Sequence, residues 1–360
     1  MTFSTLSEIL ASSARTGAAG LSVRSPDGWS SPKLEPAATA RWLAAALLGY
    51  GLEPGSRVAV LGTEGNDALV AQLAALVAGA VLVPLDPRAA DEDLRDGLMR
   101  TGASRAIASD ERQLARLLAW RPELPELTQL LLMRAEPSER RPAALVAESA
   151  IEIGRERLVD DPDLLRRAIA AGDERAPAIL FPEHADGDRA IHRSDLTNLA
   201  GRIAETLSLT SGTPVLVALP VSSLARLAAV LAAIGSGAVL CLAAPEERLD
   251  VGLDRLGPGA ALADAGAIVR FHEAWNADID ASGWIARTTT RWALRRGAAT
   301  ERSSWAHRVA EVLALRRLRS HLGGRLDRMH VVGPPIHPEI ASFFTSIGVP
   351  LRPFEVRLAR

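Results

Sequence analysis

Between Ala178 and Leu196 the sequence reads AILFPEHADGDRAIHRSDL. Glu183, Asp186 and Asp188 stand with His184 in one short loop bounded by Pro182 and Arg189. Of these, His184, Asp186 and Asp188 could bridge a divalent cation to a phosphate. A charge run of this kind is far more often the ordinary make-up of a solvated loop. Other familiar chemistry is missing from the chain. Its seven histidines, His184, His192, His272, His307, His321, His330 and His337, form no HExxH spacing. There is no GxSxG elbow, no GxGxxG and no GxxxxGK[ST]. His272 beside Glu273 reads as a surface or interface pair. No catalytic residue and no metal ligand is assigned from residue types.

Composition narrows the classes further. Lys33 is the sole lysine, so chemistry needing a second lysine is excluded. Cys241, the one cysteine, rules out an internal disulfide and a multi-cysteine metal cluster, and its apolar strand predicts an inert thiol. Net charge is −2 and aromatics are 4%, which argues against a nucleic-acid partner. Arg287 to Arg325 is arginine-rich and includes Trp292 and Trp305, but apolar residues recur at helical spacing, as in amphipathic helices. The first twenty residues lack a basic start followed by an apolar block, so the reading is cytoplasmic. Ala68 to Leu85 and Val215 to Ala244 are apolar, but Gln72 and Arg226 break them, and neither reads as a membrane span.

Those two stretches resemble each other. Arg57-VAVLG, a helix through Val70-AQLAALVA and Gly79-AVLVPL match Thr213-PVLVALP, Leu224-ARLAAVLAA and Gly237-AVLCLAA. Each reads as strand, helix, glycine, strand, with runs suited to strands buried on both faces. Glycine suits the helix end, where a left-handed residue is cheap without Cβ. The expected fold class is α/β: a layered βαβ architecture with two similar halves, 1–170 and 171–360. Helices are expected over Glu35–Gly51 and from Asp91 to Gly102, and a strand at Ser104-RAIAS. A charged stretch from Arg134 to Ala176 is expected to separate the halves. Gly266-AIVRF reads as a strand, Ala281 to Leu318 as mostly helix, and Arg328-MHVVG as a strand before a helix opened by Pro338.

Four segments carry a family resemblance. Gly55-SRVAVLGTEGNDALVAQLAALVAGAVLVPLDP and Leu207-SLTSGTPVLVALPVSSLARLAAVLAAIGSGAVLCLA resemble the two α/β halves of the adenylate-forming superfamily, which includes the acyl-CoA synthetases. Val312-LALRRLRSHLGGRLDRMHVVGPPIHPEIASFFTSIGVPL is similar to the long-chain acyl-CoA synthetase branch, as is Ile268-VRFHEAWNADI. The resemblance implies the N-terminal domain fold of those enzymes. It also implies their chemistry, in which a carboxylate and ATP give an acyl-adenylate and pyrophosphate before a thiol displaces AMP.

The same resemblance marks departures. The family's phosphate loop, commonly Thr-Ser-Gly-Thr-Thr-Gly-x-Pro-Lys-Gly, aligns with Pro182, Glu183, His184, Ala185, Asp186, Gly187, Asp188 and Arg189. Three carboxylates replace small hydroxyl residues, Pro182 has no N–H to donate, and Arg189 replaces the lysine. The family's adenine-side Gly-Gly-Ala-Pro turn becomes Val332, Gly333, Pro334 and Pro335, and Ser223 falls at the histidine beside the acyl carboxylate. In Tyr-Gly-x-Thr-Glu, Phe354 falls at the Tyr, Glu355 at the Gly, Arg357 at the Thr and Leu358 at the metal-holding Glu. The lysine-bearing C-terminal domain that follows in the family is expected to be absent. The resulting expectation is a truncated, degenerate relative that does not adenylate and needs neither ATP nor magnesium. It would act as a binding or regulatory module for an acyl or other small molecule, or for a protein. One alternative is an active fatty acid–CoA ligase, using ATP and magnesium, completed by a separate C-terminal domain. Another is a protein–protein scaffold.

Overall fold

The computed structural model describes residues 5–12, 21–25, 28–30, 35–63, 65–135, 144–182, 188–243, 253–281, 288 and 322–358. The chain begins with α1 (Leu6–Ser12) and the antiparallel pair β1 (Leu21–Ser25) and β2 (Gly28–Ser30). Helix α2 (Pro36–Gly49) follows, its first amides bonded to the Glu35 carboxylate. The first repeat unit then runs β3 (Arg57–Leu61), α3 (Asn66–Val77) and β4 (Val81–Leu85). After it come α4 (Asp91–Thr101), β5 (Arg105–Ala108), α5 (Glu111–Trp120), β6 (Gln129–Leu132) and β7 (Leu145–Val146). Next are α6 (Ala147–Asp160), α7 (Leu164–Ala170), β8 (Pro177–Phe181), β9 (Arg189–His192) and α8 (Arg193–Thr206). The second unit is β10 (Pro214–Ala218), α9 (Leu224–Ser236) and β11 (Val239–Leu242). The rest is α10 (Leu253–Leu256), β12 (Ala260–Asp264), α11 (Ala265–Ala281), β13 (Arg328–Val332), α12 (Pro338–Ser346) and β14 (Leu351–Pro353).

The strands form two sheets of the same order. The first runs β7-β6-β5-β3-β4-β8-β9 and the second β14-β13-β12-β10-β11-β1-β2. All pairings are parallel except the edge hairpins β8–β9 and β1–β2. The hairpins are exchanged: the N-terminal one completes the second sheet, and the one following α7 completes the first. Alternation along each strand builds the layers. Val58 and Val60 face a shared apolar core with α2, α3, α8 and α9, to which Val215 and Val217 of the second sheet also belong. Ala59 and Leu61 face α4 and α5 instead, while Leu216 and Ala218 face α11 and α12. Gly79 and Gly237 end the repeat-unit helices at φ of +74° and +66°, as the sequence predicted.

Two expectations are corrected. The residues from Gly266 are helix α11, not a strand, because Ala267, Ile268, Phe271 and Ile279 bury one helical face. The strand lies just before, where Ala260–Asp264 pairs with both β10 and β13. The charged stretch from Arg134 to Ala176 is not a bare separator, since it holds β7, α6 and α7. Helix α6 lies directly on α2: a Cβ on Gly154 would stand 1.8 Å from the Trp42 carbonyl oxygen. The helical expectation for Ala281 to Leu318 falls almost wholly outside the described residues. No described helix is long and apolar enough to cross a membrane.

Candidate functional site

In parallel α/β sheets, ligands gather outside the carboxyl ends of the strands, where neighbouring connections diverge. At that end of the second sheet the adjacent strands β10, β12 and β13 present Ser223 and the Gly333 turn among the expected positions, with Asp264 between them. Ser223 stands half-buried at the N-cap of α9, and its hydroxyl makes no capping bond. Asp264 ends β12, and its carboxylate accepts from the Gly266 amide at 2.8 Å, starting α11. Gly333, Pro334 and Pro335 form an exposed turn after β13. Gly333 adopts φ +113° there, and a Cβ would touch Ala265 at 3.4 Å. Thus Ser223 and the Gly333 turn both stand at the carboxyl end of the second sheet.

The acidic loop belongs to the first sheet, through the β8–β9 hairpin. Glu183, His184, Ala185, Asp186 and Gly187 lie outside the described residues. The loop's two ends both rest on α4. Pro182 packs against Gly97, where a Cβ would come within 2.9 Å of the proline ring. Asp188 pairs with Arg100 at 3.5 Å. Arg189 is exposed on the edge strand with its guanidinium 5.3 Å from the centre of the Phe181 ring. Among the described residues, no three histidine, cysteine or acidic side chains are placed to share a metal ion.

The segment after β14 is fastened down. Arg202 of α8 donates to the carbonyls of Glu355 and Arg357 at 2.9 and 2.8 Å and lies over the buried Phe354 ring. Glu355 bonds Arg357 at 2.6 Å, and Leu358 packs partly buried against the core.

A second crevice was not legible in the sequence. It opens at the carboxyl ends of β3, β4 and β5, where the order β5-β3-β4 places a divergence point between β3 and β5. It encloses about 570 Å³ between Thr63, the turn Pro87–Asp91, and the first turns of α5. Three guanidinium groups line it: Arg88, Arg112 and Arg116. Arg116 is rigidly placed, donating to Asp91 at 3.0 Å, the Pro87 carbonyl at 2.9 Å and Gln113 at 3.0 Å, and lying over Trp120. Arg88 forks onto Asp86 through two bonds of 2.9 and 2.8 Å. Arg112 is exposed and has no carboxylate partner among the described residues. Across the crevice, the Ser109 hydroxyl accepts from the Thr63 amide at 3.0 Å and donates to Asp110 at 2.8 Å. Burial acts to raise the Asp86 carboxyl, but hydrogen bonds and charge from Arg88, with help from Ser222, outweigh it and hold it below its usual range. Arginines in a chain with one lysine give no spacing signal, so only the strand order reveals this cluster.

Comparison with known proteins fits this architecture. Residues 35–164 match the family model described as AMP-binding enzyme. The adenylation domain of a carboxylic acid reductase from Segniliparus rugosus, solved with AMP and a co-purified carboxylic acid, aligns with 95% of this chain at a TM-score of 0.65 and 17% identity. The chain spans 58% of that structure. The anthranilate CoA ligase AuaEII, solved with anthranoyl-AMP, aligns with 98% of this chain at a TM-score of 0.66 and 13% identity, and the chain spans 59% of it. A curated naringenin synthase from Pestalotiopsis fici is 40% identical over 92 residues, which is 26% of this chain and 3% of that protein. The chain therefore has a segment that matches the AMP-binding enzyme model and shares the α/β fold of the N-terminal domains of adenylate-forming enzymes.

Proposed function

We propose that this protein is a binding module built on the adenylate-forming fold, one that does not itself make acyl-adenylates. The observation that carries this reading is the pair Asp188–Arg189 at the end of the expected phosphate loop. Adenylation needs cations and backbone donors around the ATP phosphates. Here a carboxylate stands at that point, tied to Arg100, and the neighbouring guanidinium lies over Phe181. Unit charges ~4 Å apart interact by about 4 kcal/mol at an effective dielectric of ~20, and with a polyphosphate the sign at Asp188 is repulsive. Leu358, at the family's metal-holding position, is an apolar side chain packed on the core and offers no oxygen to a hard cation. The residues present therefore do not fit magnesium-ATP, and no reaction step is derived through it. The basic crevice of the first sheet is where a ligand fits, and its three guanidinium groups select a small anion of the phosphate class. The second-sheet edge around Ser223 and Gly333 is proposed to keep a place for an acyl or similar molecule. A cytoplasmic setting and the long-chain branch belong to the same proposal.

The deciding experiment mixes the protein with magnesium-ATP and a panel of fatty and aromatic acids, and measures pyrophosphate. No release above the protein-free rate is expected. Steady release would favour instead a ligase completed by a separate C-terminal domain, a reading supported by the high coverage of this chain against AMP-bound relatives.

A further inference from the structure

The crevice of the first sheet, called the first crevice below, and the second-sheet edge at Ser223 are joined by one shared carboxylate. Asp86 follows β4, and its Oδ2 accepts from Arg88 Nη2 at 2.8 Å and from the Ser222 hydroxyl at 3.4 Å. Arg88 lines the first crevice. Ser222 sits in the turn between β10 and α9, next to Ser223 at the edge of the second sheet. That turn is otherwise held at fixed points. Buried Gln72 donates to the Val221 carbonyl at 2.8 Å, and buried Arg226 donates to the Leu219 carbonyl at 3.0 Å. Ser222 differs, because its acceptor is shared with a cation that faces a ligand pocket.

We infer that Arg88, Asp86 and Ser222 form a relay, through which an anion of the phosphate class bound in the first crevice is registered at the β10–α9 turn. The inference rests on the reading of that crevice as an anion site. A polyanion competes with Asp86 for Arg88, and in the relay it wins the Nε and Nη2 donors that Asp86 holds in its absence. Asp86 then has Ser222 as its remaining side-chain donor among the bonds described, and the 3.4 Å bond shortens to the length normal for O–H to a carboxylate. The turn is pulled toward the first sheet and Ser223 becomes less accessible. Linkage makes the effect reciprocal, so a ligand favouring the drawn-in turn tightens anion binding.

A cysteine at Ser223 reads this directly. The native Cys241 is fully buried, and burial pushes its thiol up to about 12, so it contributes no background labelling. The probe is inorganic pyrophosphate. Its binding is followed by calorimetry and the S223C thiol by its alkylation rate. Saturating pyrophosphate is expected to slow alkylation by about fivefold or more, within the usual range of coupling between sites. In S223C/D86N and in S222A/S223C, pyrophosphate should still bind but leave the rate unchanged. The second double variant keeps the Arg88–Asp86 pair whole, so it serves if D86N folds poorly. Pyrophosphate binding without any change in S223C alkylation would overturn the relay alone, as would an undiminished effect in both double variants. No pyrophosphate binding to any of the proteins would overturn the anion site and the relay with it.

Discussion

Arg193 donates to the carbonyl of Gly79 at 3.2 Å, joining the start of α8 to the end of α3. The same guanidinium reaches the Ile169 carbonyl at 3.1 Å, at the end of α7. A buried cation thus closes two helix C-termini, whose carbonyls have no partner within their own helices. Burial lowers the Arg193 pKa, and the charge of Glu174 works against that shift. Arg193→Met keeps the length of the side chain and strips its donors, leaving the two carbonyls only the amides of Gly55 and Gly172. Urea denaturation should show a loss of about 2–4 kcal/mol.

Gly154→Ala sets two effects against each other. Alanine gains about 1 kcal/mol of helix propensity over glycine in α6. Its methyl would fall 1.8 Å from the Trp42 carbonyl oxygen, which belongs to the backbone of α2 and cannot swing away. The clash wins. A net loss of about 2–4 kcal/mol, read as a lowered Tm, is expected.

His330 lies in β13 with 5% exposure, and among the described residues neither ring nitrogen has a hydrogen-bond partner. Burial, then the charges of Arg352 and Arg328, hold its pKa below the usual value. The unfolded chain, with a histidine pKa near ~6.5, takes up the proton first. Stability is therefore present above that pH, is lost as pH falls below it, and levels off only below the folded pKa. His330→Leu removes both the unsatisfied nitrogens and this linkage. Its Tm should exceed that of the native protein at pH 8 and exceed it by more at pH 5.

Arg112→Ala tests the basic crevice without disturbing its frame. Arg112 is exposed and unpaired among the described residues, whereas Arg116 braces the Pro87 turn. Calorimetry should show pyrophosphate binding weakened by roughly three- to tenfold, about 0.7–1.4 kcal/mol. Tm should stay unchanged, and the salt dependence of binding should become shallower.

Asp110→Ala removes the cap that accepts from the Gln113 amide at 3.0 Å, together with the acceptor of the Ser109 hydroxyl. Loss of such a cap costs about 1 kcal/mol. Thermal unfolding should show that loss, with a weaker grip on pyrophosphate as the α5 start loosens.

The repeat units were legible because β-branched runs buried on both faces differ from alanine-rich helices, and a glycine marks each junction. The misreading of Gly266–Phe271 has a physical source. Ile268, Val269 and Phe271 suit a strand by propensity, but Phe271, Trp275 and Ile279 recur at helical spacing, and burial of that face decides. The short run Ala260–Asp264 is alanine-rich and reads weakly as a strand. Its place between β10 and β13 makes it one. Ser223 and the Gly333 turn could be placed from the sequence at the carboxyl ends of their strands because each follows its strand closely. Arg88, Arg112 and Arg116 could not, because a parallel sheet assembles them from the ends of separate strands.

The crossed hairpins bear on how the molecule is made. As it leaves the ribosome, β1 must wait for β11, and the first sheet stays open at β4 until β8 arrives. Neither lobe can be sealed by its own continuous stretch of polypeptide. Cutting the gene between α7 and β8 would give two pieces, each with a bare, adhesive border and a homeless ribbon. Mixed together, they should rescue each other, and kept apart they should clump.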